Sequence, residues 1–198
     1  MSPSPHELLN PPRAVRADAA RNREAILNAA RRIIEDTGDV NFSMDELASA
    51  ARVGKGTIFR RFENRQGVLD ALLDYRTQKF QHDFMFGPPP LGPGAPARDR
   101  LLAFGAADIA FNRSLGPLAA ATAGQFRGYF SHPARRLTST HLTMLLRDAG
   151  FTGDTEVAIY TLLAYLNPGG LDVMQTDLDV TPERLATGWT ELINGLLG

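Results

Sequence analysis

Between Arg52 and Arg65 the chain reads R-V-G-K-G-T-I-F-R-R-F-E-N-R, with five basic residues, Arg52, Lys55, Arg60, Arg61 and Arg65, against the single acid Glu63. Cations at that density suit a polyanion such as a nucleic-acid backbone. Ile58 and Phe62 are four apart and share one helical face, which turns Lys55, Thr57, Phe59, Arg60 and Arg61 to the opposite side or its edges. Gly54 and Gly56 place no side chain where a backbone would approach a duplex closely. An arginine bidentate to a guanine edge is worth roughly 1–3 kcal/mol of discrimination, whereas a phosphate contact adds affinity without sequence preference. The sequence leaves open which of Arg60 and Arg61 does which.

The neighbouring segments must hold this strip in place. Ser43 with Glu46 three residues on forms a capping box, and Phe42 with Leu47 forms a hydrophobic staple, so a helix begins at about Met44. It turns Leu47, Ala48 and Ala51 inward and breaks at Arg52, Val53 and Gly54 before a second short helix over 55–62, giving two short helices joined by a tight turn. Upstream, Ile26, Leu27, Ala30, Ile33 and Ile34 recur at helical spacing, predicting a helix over 18–37 closed by Gly38. Downstream, Asn64 can cap a fourth helix from Arg65 to about Phe84, striped by Val68, Leu69, Leu72, Leu73 and Phe80 and long enough to link two domains.

Together these segments resemble the TetR family of bacterial repressors, over about Arg23 to Leu73. The matching signature stands here as A-I-L-N-A-A (25–30), F-S-M-D-E-L-A-S-A-A-R-V-G-K-G-T-I-F-R-R-F (42–62) and N-R-Q-G-V-L (64–69). The resemblance implies an all-α homodimer whose first three helices bind DNA and whose C-terminal helices hold a small-molecule effector and the dimer interface. Position by position, it implies phosphate contact at Ser43 and Met44, DNA contact through Lys55, Gly56, Thr57, Phe59, Arg60 and Arg61, and phosphate contact again at Arg65. Two positions depart from the family pattern. Phe59 stands where a tyrosine is usual, which removes a phosphate-binding hydroxyl and leaves a ring able to meet a thymine methyl. Gly54 stands where a capping serine is common, so the recognition helix is open to fraying at its start.

The prolines at 3, 5, 11 and 12 and the arginines at 13, 16, 21 and 23 predict a flexible basic arm over 1–17, with Arg13 and Arg16 either solvated or in a minor groove. The expected organisation is therefore an arm over 1–17, a helix-turn-helix domain over 18–65, and an effector-binding and dimerisation domain over 66–198. Five prolines and three glycines between Gly87 and Pro96 exclude a regular helix there. Beyond that loop, helices are expected near 97–113, 117–130, 133–149, 155–166 and 182–197, with Thr181 and Pro182 opening the last.

The middle helices interleave aromatics with small residues, a pattern that either packs closely or leaves a cavity. The resemblance makes an effector pocket the expectation, with Phe104, Phe111, Phe126, Tyr129 and His141 as its candidates. A mainly apolar pocket would orient a polar ligand group through Asn112, Arg113, Gln125, Arg127 or His141, although a lone histidine is more often structural. The segment over 155–166 is apolar on nearly every side, and Leu185, Trp189, Leu192 and Leu196 form one seam. Both suggest a surface that needs a partner. The resemblance implies a four-helix bundle between subunits, with Tyr160, Leu163, Leu185, Trp189, Leu192 and Leu196 as interface candidates.

With 198 residues, 43% of them apolar, the chain can bury a real core. The formal charge of -1 means that any affinity for DNA depends on where charges sit and not on their sum. There is no cysteine, no signal-peptide pattern before Pro12 and no apolar run of membrane length, so a soluble cytoplasmic protein is expected. Catalytic signatures such as G-x-S-x-G and H-E-x-x-H are missing, and the histidines at 6, 82, 132 and 141 lack metal-ligand spacing. The G-K-G-T at 54–57 departs from a phosphate loop at Ser49 and Gly56. With the resemblance, the expectation is a non-enzymatic, cofactor-free regulator: the resemblance implies a homodimeric repressor that binds an inverted-repeat operator on double-stranded DNA under control of an apolar or amphipathic ligand. The alternative is a helical protein-interaction module that uses the basic strip elsewhere, and sequence preference among DNA probes discriminates the two.

Overall fold

The computed structural model describes residues 13–122 and 133–198, and among them the only regular elements are helices. In chain order these are α1 (Arg13–Thr37), α2 (Met44–Ala51), α3 (Lys55–Phe62), α4 (Arg65–Phe86), α5 (Ala97–Leu115), α6 (Pro117–Ala121), α7 (Pro133–Asp148), α8 (Thr155–Tyr165), α9 (Pro168–Thr176) and α10 (Pro182–Leu197). The all-α expectation therefore holds, and α2 and α3 begin where their caps place them.

Two compact units divide the chain. The first ends at Tyr75 and also takes Ala120–Thr122, while the second begins at Arg76 and takes the remainder, so the division falls within α4. In the first unit α1 packs on α2 and α2 on α3, around a core that includes Ile26, Leu27, Leu47, Ile58, Val68 and Leu72. Gly38 closes α1 at a positive φ of 68°, and its amide donates to the Ile34 carbonyl at 2.9 Å.

In the second unit α5 packs on α7 and α10, and α8 on α7 and α9. Their shared core runs from Phe84 through Leu101, Phe104 and Leu142 to Leu162, Leu185 and Trp189. The indole N–H of Trp189 donates to the Leu101 carbonyl at 2.8 Å. Gly105 admits the ring, since a Cβ there would lie 2.2 Å from indole atoms. The helices α5 and α10 therefore meet closely at one point, which only a glycine on α5 permits.

Three expectations need correction. First, the helix expected from Asp18 starts at Arg13, so Arg13 and Arg16 are helical and not part of an arm; residues 1–12 lie outside those described. Second, no helix was expected between 166 and 182, where α9 stands. Pro168 occupies its first turn, where a missing N–H costs least, and Asn167 caps it by accepting the Gly170 amide at 3.2 Å. Third, Leu163, Leu185 and Trp189 are 2%, 2% and 0% exposed within the chain's own core, which leaves them no surface for a partner. Tyr160 is 52% exposed, and Leu192 and Leu196 are half-buried. Large apolar residues that do face outward include Val157, Tyr160, Val173 and Leu178. Among the described residues no helix is long and apolar enough to cross a membrane.

Candidate functional site

The basic strip sits on a helix-turn-helix whose every joint has a local cause. Ser43 Oγ accepts the Glu46 amide at 3.0 Å, fixing the start of α2. At its end the Arg52 amide bonds to Ser49 and the Val53 amide to Ala48, the bond pattern of a Schellman turn. Arg52 takes the left-handed conformation there (φ 55°, ψ 42°). Gly54, which stands where a capping serine is common in the family, is extended and caps α3 with no side-chain bond.

Ile58 and Phe62 are 0% and 6% exposed, while Phe59 is 42% exposed. One face of α3 is thus committed to the core, and Lys55, Gly56, Phe59, Arg60 and Arg61 lie on exposed positions with Thr57 at the edge. The cations are not equivalent. Lys55 Nζ is 2.7 Å from Asp45 on α2 and 5.9 Å from the Phe59 ring. Arg61 donates to the Ala19 carbonyl on α1 at 2.7 Å and so helps tie α3 to α1. Arg60 and Arg65 are exposed and make no side-chain hydrogen bond among the described residues. An open groove beside the turn, between α1 and the end of α2, is lined by Arg31, Arg32 and Arg52. Sequence reasoning overlooked Arg31 and Arg32, which belong to α1 and reach this groove only through the packing of α1 on α2.

The start of α4 is set against the end of α3. Asn64 Oδ1 accepts the Gly67 amide at 2.9 Å, and Gly67 sits so close to Phe62 that a Cβ would lie 2.2 Å from the Phe62 carbonyl oxygen. Because the obstacle is backbone, no rotamer relieves it. Alanine for glycine inside a helix ordinarily stabilises by about 0.5–1 kcal/mol. Gly67→Ala is expected to destabilise the first unit instead, by about 1–3 kcal/mol, and to weaken DNA binding by displacing α3. Urea unfolding of the variant, followed by DNA titration, checks both.

The effector candidates divide differently. Phe126 and Tyr129, with Gln125 and Arg127, lie outside the described residues. Phe104 is fully buried and packs at 5.3 Å from Phe84, and Phe111 stacks at 4.9 Å on Phe80. His141 is 3% exposed, with its ring 4.6 Å from Phe84 and 6.0 Å from Phe104. Neither ring nitrogen has a hydrogen-bond partner among the described residues. Along the same seam of α5 and α7, Asp108 is 3% exposed, accepts from Asn112 at 2.7 Å and lies 3.8 Å from Arg135. Asp108 and Arg135 carried no distinguishing signal in the sequence, since only the register of α5 on α7 pairs them.

Burial pushes the Asp108 carboxyl up to about 6, against the opposing pull of Arg135 and the Asn112 bond. Burial, helped by the Arg100 charge, pushes His141 down to about 4. These shifts carry opposite linkages. Stability from Asp108 is fully present below its ordinary value near 3.8 and is lost as pH rises through 6. Stability from neutral His141 is fully present above 6.5 and is lost as pH falls towards 4. At 1.36 kcal/mol per unit each amounts to about 3 kcal/mol, so the two nearly cancel across this window. Relative to His141→Leu, the native protein is expected to lose about 3 kcal/mol as pH falls from 6.5 to 4; relative to Asp108→Asn, it gains about as much over the same fall. Urea midpoints at stepped pH values read both differences.

Residues 26–72 match the sequence model of the bacterial regulatory proteins, tetR family. No curated protein matches the chain in sequence. Solved structures similar to it include a TetR-like transcriptional regulator from Rhodococcus sp. RHA1, with 21% identity and a TM-score of 0.59, covering 94% of this chain and 98% of that one. A TetR-family transcriptional regulator from Streptomyces coelicolor shares 21% identity with a TM-score of 0.58 over 90% of this chain and 95% of its own. AibR in complex with isovaleryl coenzyme A and operator DNA shares 20% identity with a TM-score of 0.53, over 89% and 98% of the two chains. At these identities the structural likeness speaks for fold alone.

Proposed function

We propose that the chain is a TetR-family transcriptional regulator and a homodimeric repressor, a reading supported by the tetR-family match over residues 26–72. The observation that carries the reading is α3 itself, with Ile58 and Phe62 anchored in the core and Lys55, Phe59, Arg60 and Arg61 presented outward. Ser43 and Met44 at the start of α2, and Arg65 at the start of α4, supply phosphate contacts from the positive ends of two helices. Gly56 and Thr57 put little bulk between the backbone of α3 and the groove floor.

A homodimer doubles the site and favours an inverted repeat with half-sites about one turn apart. The exposed apolar residues Val157 and Tyr160 on α8, with half-buried Leu192 and Leu196 on α10, are the surface we assign to the second subunit. A small apolar or amphipathic ligand in the second unit would then alter operator affinity by preferring one arrangement of α4, which contributes to both units. AibR, a structural neighbour, is known with both an acyl thioester ligand and operator DNA, which supports placing both activities on this fold. We place the protein in the cytoplasm and assign it no catalysis.

Footprinting on a selected genomic fragment tests the dimer and the operator together. Two protected half-sites related by a dyad are expected; protection of a lone half-site by a monomer would overturn that part of the reading. The helical interaction module would show no preferred fragment at all.

A further inference from the structure

We propose that the aromatic seam formed by α4, α5 and α7 binds an uncharged amphiphile, its body against Phe80, Phe84, Phe104 and Phe111 and one neutral hydroxyl or carbonyl group hydrogen-bonded by His141. This names the ligand class of the effector site and rests on that reading for its link to DNA.

The carrying observation is the orphaned histidine. His141 is 3% exposed, yet both ring nitrogens lack a partner among the described residues. A neutral imidazole holds one donor and one acceptor, and burying both unpaired is costly where a leucine or phenylalanine would fill the same space without penalty. The neighbouring polar groups are engaged elsewhere. Asn112 Nδ2 donates to the Asp108 carboxylate at 2.7 Å and to its backbone carbonyl at 2.9 Å. Arg100 Nη2 donates to the Phe84 carbonyl at 3.1 Å, and its Nε reaches the Leu91 carbonyl at 3.5 Å. None of them turns to His141, which stays enclosed by Phe84 and Phe104.

Charge decides the head group. Asp108 lies one turn beyond Phe104 on the buried face of α5 and is already paired with Arg135 at 3.8 Å. Arg100 lies one turn before Phe104 and opposes a cation. An ion of either sign would also leave water for a wall of phenyl rings, a transfer that costs far more than burying a hydroxyl with a partner waiting. A neutral group gives His141 the bond it lacks and brings no net charge. Phe80 on Phe111 and Phe84 on Phe104 are 4.9 and 5.3 Å apart between centroids, so the rings pack on one another and the ligand's apolar body must take the place of part of that packing.

The test uses the full chain with three probes of one shape, 4-butylphenol, butylbenzene and 4-butylbenzoate. Binding is read by thermal shift and by ring-nitrogen NMR of histidine-labelled protein, with His141→Leu assigning the signal. The expected result is that 4-butylphenol moves the His141 ring resonances and binds roughly tenfold tighter than butylbenzene, with the benzoate weakest. His141→Leu without ligand should melt several degrees above the native protein and bind phenol and butylbenzene alike, while His141→Gln, which keeps a donor and an acceptor, should retain the preference for phenol. His141 resonances unmoved by saturating 4-butylphenol, or a lowered melting temperature in His141→Leu, would make the histidine a structural residue and overturn the proposal. Gel shifts on the same samples separate the two readings: phenol bound at His141 with DNA affinity unchanged would uphold the site and sink ligand control.

Discussion

Trp189→Ala is expected to cost about 3–5 kcal/mol of folding stability, the range for removing a fully buried aromatic side chain. Native domains hold only about 5–15 kcal/mol in total, so the variant stands close to unfolding and its melting temperature should fall by about 10 °C or more. The reason is geometric as well as hydrophobic. The indole is 0% exposed, bonds to the Leu101 carbonyl at 2.8 Å and fills the notch that Gly105 leaves on α5. The Tyr165 ring lies 6.0 Å away, and its hydroxyl donates to the Leu185 carbonyl at 2.7 Å. Alanine empties that joint, and the glycine facing it offers no side chain to collapse inward. Trp189→Phe, which keeps most of the volume but not the N–H, should lose distinctly less. Calorimetry on the three proteins reads the order; an unaltered melting temperature in Trp189→Ala would remove the ring from the core.

Arg60→Ala is expected to abolish sequence preference while leaving the fold intact. Arg60 is exposed and makes no side-chain bond among the described residues, so its removal strands no partner there. If it reads a guanine edge, each half-site loses about 1–3 kcal/mol, or about 5- to 150-fold, and a two-fold operator loses the square of that. Arg61→Ala should behave differently. Its guanidinium bridges α3 to the Ala19 carbonyl at 2.7 Å, so its loss should loosen α3 on α1 by about 1 kcal/mol and weaken all DNA sequences alike. Competition between specific and scrambled probes separates the two: a collapsed ratio in Arg60→Ala beside a preserved ratio in Arg61→Ala is the expected pattern, and the reverse would exchange their roles.

The difference between these arginines was not legible in the sequence, where both are cations on a short helix. It depends on α1 passing beside α3, a contact between residues 42 positions apart. What was legible was local. The caps at Ser43 and Asn64 and the buried pair Ile58 and Phe62 operate within a few residues, and they place α2, α3 and the start of α4 directly. Local signals also misled. Pro168, Gly169 and Gly170 gave no helical signal yet open α9, because proline suits a first turn, Asn167 caps it and Leu171 is buried. The seam of Leu185 and Trp189 fits a partner subunit as well as it fits α5, and periodicity cannot say which. Only Gly105, a missing side chain on a distant helix, makes the tryptophan internal. Asp108 and Arg135 were invisible for the same reason, since each is an ordinary polar residue on its own helix until the two helices pack.

The most direct test of the central claim is to select fragments of the source genome with the purified protein and titrate the best fragment against salt, beside the Arg60→Ala variant. The account predicts enrichment of an inverted repeat, affinity that falls steeply and linearly in log–log form with salt, and loss of the enrichment in the variant. A folded dimer that enriches no sequence even at low salt would contradict it and leave the basic face of α3 to a partner other than DNA.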